Sequence, residues 1–157
     1  MKKIEDTIIL FVATGMFSGF LPVAPGTFGS ILGAALAYGA SKYLTLYQSL
    51  GLLGILLAAG VFTAGRAEII LHEQDSGKIV IDEIAGMYIT MLFLPMSIVH
   101  LAVGFVCFRI MDIVKPFPIS SMDRHIHGGT GVMLDDVAAG LASNVLVRIV
   151  IFFIEIA

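Results

Sequence analysis

Apolar residues run through this chain in long charge-free stretches, with the polar positions gathered between them. The stretches occupy residues 7–41, 43–65 and 84–108, and a fourth, 137–157, is interrupted by Arg148 and, near its end, Glu155. About 20 apolar residues span the hydrocarbon layer of a bilayer, so each stretch is a candidate membrane helix. Pro22, Pro25 and Gly26 break the first, which predicts a helix at residues 5–17, a loop, and a second helix at 30–46. Residues 47–65 predict the next helix, with an amphipathic extension through 66–72. Leu94-Pro95-Met96-Ser97 divides the third stretch. A single kinked span would place Asp82 and Glu83 on one side of the membrane and Arg109 and Asp112 on the other. A helical hairpin turning at Pro95 returns all four to one side and gives them a common purpose, so the hairpin is the expected form. Arms of about 17 Å, at 1.5 Å per residue, enter a bilayer without crossing it. Residues 132–156 predict the last helix. The fold class is all-α: a single domain over 1–157, a compact membrane bundle of about five to seven helices, including a short hairpin at 84–108.

Composition agrees. The chain is 58% hydrophobic and 13% charged, with a mean hydropathy of +0.99, whereas soluble domains carry roughly 25% charged residues. Lys2 and Lys3 precede the first apolar run as in a signal peptide, but Glu5 and Asp6 spoil that pattern and no small-residue cleavage site follows, so the segment reads as retained. The net charge of −3 makes nucleic acid an unfit partner, since phosphate backbones demand dense Lys and Arg. No protein partner is implied. The single Cys107 excludes an internal disulfide and reads as a small buried thiol.

The distribution of charge says more than its total. Asp and Glu number 12 and Lys and Arg 9, yet residues 7–65 hold only Lys42. Between Arg66 and Asp136 lie Glu68, Glu73, Asp75, Asp82, Glu83, Asp112, Asp123, Asp135 and Asp136, with Arg66, Lys78, Arg109, Lys115 and Arg124. A carboxylate at the bilayer centre costs about 3 kcal/mol, so these acids belong at one interface or in a wet cavity. The excess of Lys and Arg on that face assigns it to the cytoplasm.

Four segments are candidates for chemistry. Residues 19–30 form a Pro/Gly loop running into a helix, where Gly26, Thr27 and Ser30 suit a phosphate at a helix N-terminus, or simply make a turn with an N-cap. Asp82 and Glu83 open an apolar helix; they complement its dipole or offer adjacent hard oxygen ligands to a cation. Arg109 and Asp112, three apart on a helix, pair with one another or serve an anion together with Lys115, which Pro116 and Pro118 hold at the helix end. Finally Asp135 and Asp136 start another long apolar helix, behind a glycine loop that carries Asp123, Arg124 and His127. Two acidic pairs at helix starts on one face repel unless a cation lies between them. Mg2+ explains both pairs at once, because it prefers carboxylates, water and substrate phosphate to a complete protein cage.

In this order and spacing the segments resemble the phosphatidylglycerophosphatase A family. The matching residues are Pro22-x-x-Pro25-Gly26-Thr27-x-Gly29-Ser30, Asp75 with Asp82-Glu83-x-x-Gly86-Met87, Phe108-Arg109-x-x-Asp112-x-x-Lys115-Pro116-x-Pro118-Ile119, and Asp123-Arg124-x-x-His127-Gly128-Gly129-x-Gly131-x-Met133-x-Asp135-Asp136-x-x-x-Gly140. The resemblance covers residues 19–30 and 75–140, leaving Arg66, Glu68 and the C-terminal tail unassigned. It implies a Mg2+-dependent phosphatase of the bacterial inner membrane, multi-pass, with its site on the cytoplasmic side, that converts phosphatidylglycerophosphate to phosphatidylglycerol and inorganic phosphate. Asp82, Glu83, Asp135 and Asp136 are then the expected metal ligands, and Arg109, Lys115 and Arg124 the groups facing phosphoryl oxygens. Asp112, Asp123 and His127 are candidates for base, acid or nucleophile. An aspartyl-phosphate intermediate and attack by activated water both fit the sequence. The competing reading, a small cation- or proton-coupled transporter, predicts acids at mid-helix and repeat symmetry. Here the acids flank the apolar runs and no half is duplicated. The Asp-Gly-x-x-Ala-Arg segment of CDP-alcohol phosphotransferases and the Pro-Ser-Gly-His segment of type 2 phosphatidic acid phosphatases are both absent.

Overall fold

The protein is seen in a computed structural model that describes residues 2–117, 119 and 128–156. Among these residues the chain is all-helical: α1 Lys2–Ala13, a 3-10 turn Ser18–Phe20, α2 Pro25–Tyr43, α3 Leu46–Leu71, α4 Ile81–Met91, α5 Ile98–Val114 and α6 Gly128–Ile156. Six α-helices fall within the expected range.

Local chemistry sets the helix ends. Ala24 takes a left-handed conformation as the N-cap of α2, and Pro25 follows at N1, where its fixed φ and missing N–H cost nothing. The helix therefore begins at Pro25 and not near residue 30, which turns Gly26 and Thr27 from expected loop residues into its first turn and moves Ser30 from the expected start to the second turn. Thr45 and Gln48 form a reciprocal capping box on α3, satisfying donors that the helix leaves unpaired. The helix then runs unbroken to Leu71, and the expected extension through 66–72 forms its last turns. Similarly, α6 absorbs Gly128 to Gly131 and starts four residues before the expected 132.

The hairpin is present. Between α4 and α5 the chain turns at residues 92–97, with Ser97 capping α5 by accepting from the His100 N–H at 3.2 Å. The second arm runs beyond the charge-free stretch, as the expected helical placement of Arg109 and Asp112 requires: α5 continues to Val114 and stops where Lys115 adopts a left-handed conformation. At 1.5 Å per residue α4 is about 16 Å long, too short for a bilayer. By contrast α3 and α6 are long and apolar enough to cross one.

At the centre stands α4, whose residues Ile84 to Met91 are all buried. It packs against α2, α3, α5 and α6, and Met87, Tyr88, Met91, Phe108, Ala139 and Val147 form the core around it. Outward-facing Ile149, Phe152 and Phe153 are exposed, as befits a lipid-facing surface. Small residues on α2 (Gly26, Gly29, Ser30, Gly33, Ala37, Ala40) are its buried face. One pole collects the starts of α2, α4 and α6 and the ends of α3 and α5. At the other, Leu44, Leu46 and Phe93 line a common cavity, and the Tyr88 hydroxyl donates to the Ser49 carbonyl at 3.2 Å.

Candidate active site

Three carboxylates from two helices meet at the charged pole. Asp82 and Glu83 project from the first turn of α4 and Asp136 from the first third of α6, and one oxygen from each lies within 4.8 Å of the others. An acid in the first turn of a helix sits near the positive end of its dipole. That advantage does not complete its coordination: Asp82 Oδ1, Glu83 Oε2 and Asp136 Oδ2 are shielded from solvent with no hydrogen-bond partner. Unpaired buried oxygens of this kind cost several kcal/mol unless something is bound there. A hard divalent cation fits the donor set, which is all oxygen and anionic.

The acids weigh on one another. Burial pushes the Asp82 carboxyl well above its ordinary range, and the neighbouring Glu83 and Asp136 push the same way. Burial also raises Glu83; a hydrogen bond with Asp82 offsets part of the rise, Asp112 adds to it, and Arg109 opposes it. Burial and mutual repulsion thus favour the protonated form of both carboxyls.

Basic groups border it on one side. Arg109 Nη1 forms an ion pair with Asp112 Oδ2 at 2.8 Å and donates to the Ser30 hydroxyl at 3.3 Å, while Ser30 Oγ donates to the Gly26 carbonyl at 2.9 Å. Ser30 is fully buried, so it acts by anchoring Arg109 to α2. Gly26 lies close against these side chains: a Cβ there would displace Glu83 Oε1 and lie 3.1 Å from Arg109 Nη1. The α2 start therefore abuts the carboxylates and the guanidinium. Thr27 is half-buried in the same turn. Lys115 forms an ion pair with Asp135.

Most of the expected site residues converge here. Asp82, Glu83 and Asp136 form the clustered set, and Arg109, Asp112, Gly26 and Ser30 surround it. Asp135 is turned to Lys115 and is not one of the three clustered acids, because consecutive helical residues point about 100° apart. Asp123, Arg124 and His127 lie outside the described residues. Glu68, unassigned in the sequence, accepts the Asp75 backbone N–H at 2.7 Å and so ties the 73–80 connection to α3. Sequence reasoning also passed over Asn144 and Arg148, which bond to the end of α4; a polar pair four apart inside an apolar helix was the available signal.

With this geometry in view, the likenesses to known proteins take on meaning. The sequence model of one family, phosphatidylglycerophosphatase A, matches residues 11–151. The chain is 41% identical over 135 residues to a phosphatidylglycerophosphatase A of Escherichia coli, covering 84% of this chain and 77% of that one. It is 32% identical over 140 residues to a phosphatidylglycerophosphatase A of Haemophilus influenzae, covering 88% and 86%. It is also 35% identical over 148 residues to a putative phosphatidylinositol-3-phosphatase of Bacteroides thetaiotaomicron, covering 89% and 91%. No solved structure shows a significant match. The family match spans Asp82, Glu83 and Asp136, and together with the two relatives, which cover most of the chain, it shows that the protein belongs to the phosphatidylglycerophosphatase A family and is a membrane phosphatase.

Proposed function

We propose that the protein hydrolyses the terminal phosphomonoester of phosphatidylglycerophosphate, with Mg2+, at the cytoplasmic leaflet of a bacterial inner membrane. The carrying observation is the cluster of Asp82, Glu83 and Asp136, with an unpaired inner oxygen on each and Arg109 alongside. Asp82, Glu83 and Asp136 would hold the metal. Bound there, Mg2+ supplies positive charge against phosphoryl oxygens and lowers the pKa of a coordinated water.

The protein's own groups do the rest. Phosphomonoester hydrolysis has a very high intrinsic barrier, so neutralisation and positioning dominate its catalysis. Arg109, fixed by Asp112 and Ser30, presents its guanidinium to the phosphoryl oxygens, for which planar donors suit bidentate contact. Lys115 exchanges part of its contact with Asp135 for the incoming phosphate. The reaction breaks the ester P–O bond, transfers the phosphoryl group to a water oxygen, and returns a proton to the glycerol oxygen. Asp112, Asp123 and His127 are the candidates for base, acid or nucleophile in that reaction. Both long apolar helices support delivery of the lipid from the bilayer, and the excess of Lys and Arg at the site pole supports a cytoplasmic orientation.

Purified protein in detergent, given phosphatidylglycerophosphate, should release inorganic phosphate with Mg2+ and stop with EDTA. Phosphatidylinositol 3-phosphate serves as the comparison substrate. Faster turnover of the inositol lipid would reassign the headgroup, and turnover unaffected by EDTA would remove the metal.

A further inference from the structure

The end of α4 opposite the carboxylates is held by α6. A helix leaves its last carbonyls without intrahelical donors, a serious cost where water is scarce. Asn144 Nδ2 meets that need by donating to the carbonyls of Thr90 at 2.8 Å, Leu92 at 2.8 Å and Ile89 at 3.3 Å. Arg148 Nε donates to Asn144 Oδ1 at 3.1 Å, which fixes the amide with its NH2 toward α4. A second nitrogen of Arg148 reaches the Phe93 carbonyl at 3.2 Å.

Asn144 lies two helical turns beyond Asp136 on a shared face of α6. Between them Gly140 packs on Gly86; a Cβ on Gly86 would stand 2.7 Å from the Asp136 carbonyl. The helices thus touch at three levels: carboxylates, glycines, amide cap. Smooth glycine contacts let helices approach but resist sliding weakly. The amide cap is directional and sets the axial register. One residue of slip moves Asp82 and Glu83 about 1.5 Å relative to Asp136, against a tolerance of roughly 0.2 Å in metal–ligand distances.

We infer that Asn144, oriented by Arg148, is a positioning residue that fixes the depth of α4 against α6 and so the spacing of Asp82 and Glu83 from Asp136. This deepens the phosphatase reading and rests on it. The experiment titrates Mn2+ by electron paramagnetic resonance and measures kcat and KM for phosphatidylglycerophosphate, in wild type, Asn144→Leu, Asn144→Gln, Arg148→Met and Tyr88→Phe. All are compared per mole of folded protein, determined by thermal unfolding. Asn144→Leu should weaken Mn2+ binding and lower kcat by about tenfold or more, with KM within about threefold, and Asn144→Gln should recover most of both. Tyr88→Phe, which cuts a different tether of α4, should lose stability without moving either constant. Arg148→Met leaves the amide in place but frees its orientation; it should give a smaller shift, and it decides the matter if Asn144→Leu does not fold. Wild-type Mn2+ affinity and kcat in folded Asn144→Leu would overturn the inference, as would losses matched by Tyr88→Phe. If wild type takes up no Mn2+, the metal reading falls, and the kcat comparison still judges the clamp.

Discussion

Gly26 shows how little room the site leaves at the level of single atoms. In sequence it is one of 17 glycines and a plausible turn residue; in the fold its Cα faces both Glu83 and Arg109. Gly26→Ala adds no charge, yet it must displace the Glu83 carboxylate, and it should lower kcat by about tenfold or more. A steady-state assay on protein with an unchanged unfolding profile checks this. Asp82→Asn and Asp136→Asn should each abolish measurable turnover and weaken Mn2+ binding, since each removes one of the clustered oxygens. The raised carboxyls also predict a pH effect whose sign is fixed. For an acid whose folded pKa lies above its ordinary value, stability is complete below that ordinary value, 3.8 for Asp82 and 4.5 for Glu83. It is lost as pH climbs through the raised folded value. In EDTA the protein should therefore unfold at lower temperature at pH 8 than at pH 5, and Mg2+ should restore more at pH 8. Equal metal-free stability at both pH values would show that the cluster is better solvated than its geometry indicates.

Among the elements, α4 carries the most consequence. Its hairpin with α5 was legible because Pro95 interrupts an apolar run and because the ionisable groups at either end belong together. Its start beside Asp82 and Glu83 and the run of α5 through Arg109 and Asp112 toward Lys115 were legible too, since acids suit a first turn and prolines stop the helix before them. The early starts of α2 and α6 were less so: glycine and proline read as loop in isolation, but small residues are what close helix packing selects. Gly86 and Gly140 make that packing testable. Gly86→Ala must push against the Phe108 ring at 2.6 Å and the Asp136 carbonyl at 2.7 Å, and overpacking of this kind costs about 1–3 kcal/mol. Thermal unfolding in detergent should register the loss, and activity should fall with it, because the same contact spaces the two acidic helices.

Among the described residues, Asp82, Glu83, Asp112, Asp135 and Asp136 share one pole with Arg109 and Lys115, while Arg148 stands at the other. Single cysteines at Gln74 and Val114 should react with an impermeant thiol reagent from the same side of the membrane, and cysteines at Thr45 and Phe93 from the other. Reaction of Gln74 and Val114 from opposite sides would mean that the hairpin does not return. The sequence by itself determined that this is a helical membrane protein with its acids and bases drawn to one face, because hydropathy and the cost of burying charge act on every residue regardless of its neighbours. It also carried the family's motifs. Only the tertiary structure decided which acids share a cluster. Asp82, Glu83 and Asp136 converge while Asp135 turns to Lys115, since that choice depends on the rotation of α6 about its axis. It alone also revealed the hold of Asn144 and Arg148 on the far end of α4: a hydrogen bond to a backbone carbonyl is indifferent to the side chain of the residue it reaches, so the partner leaves no mark in the sequence.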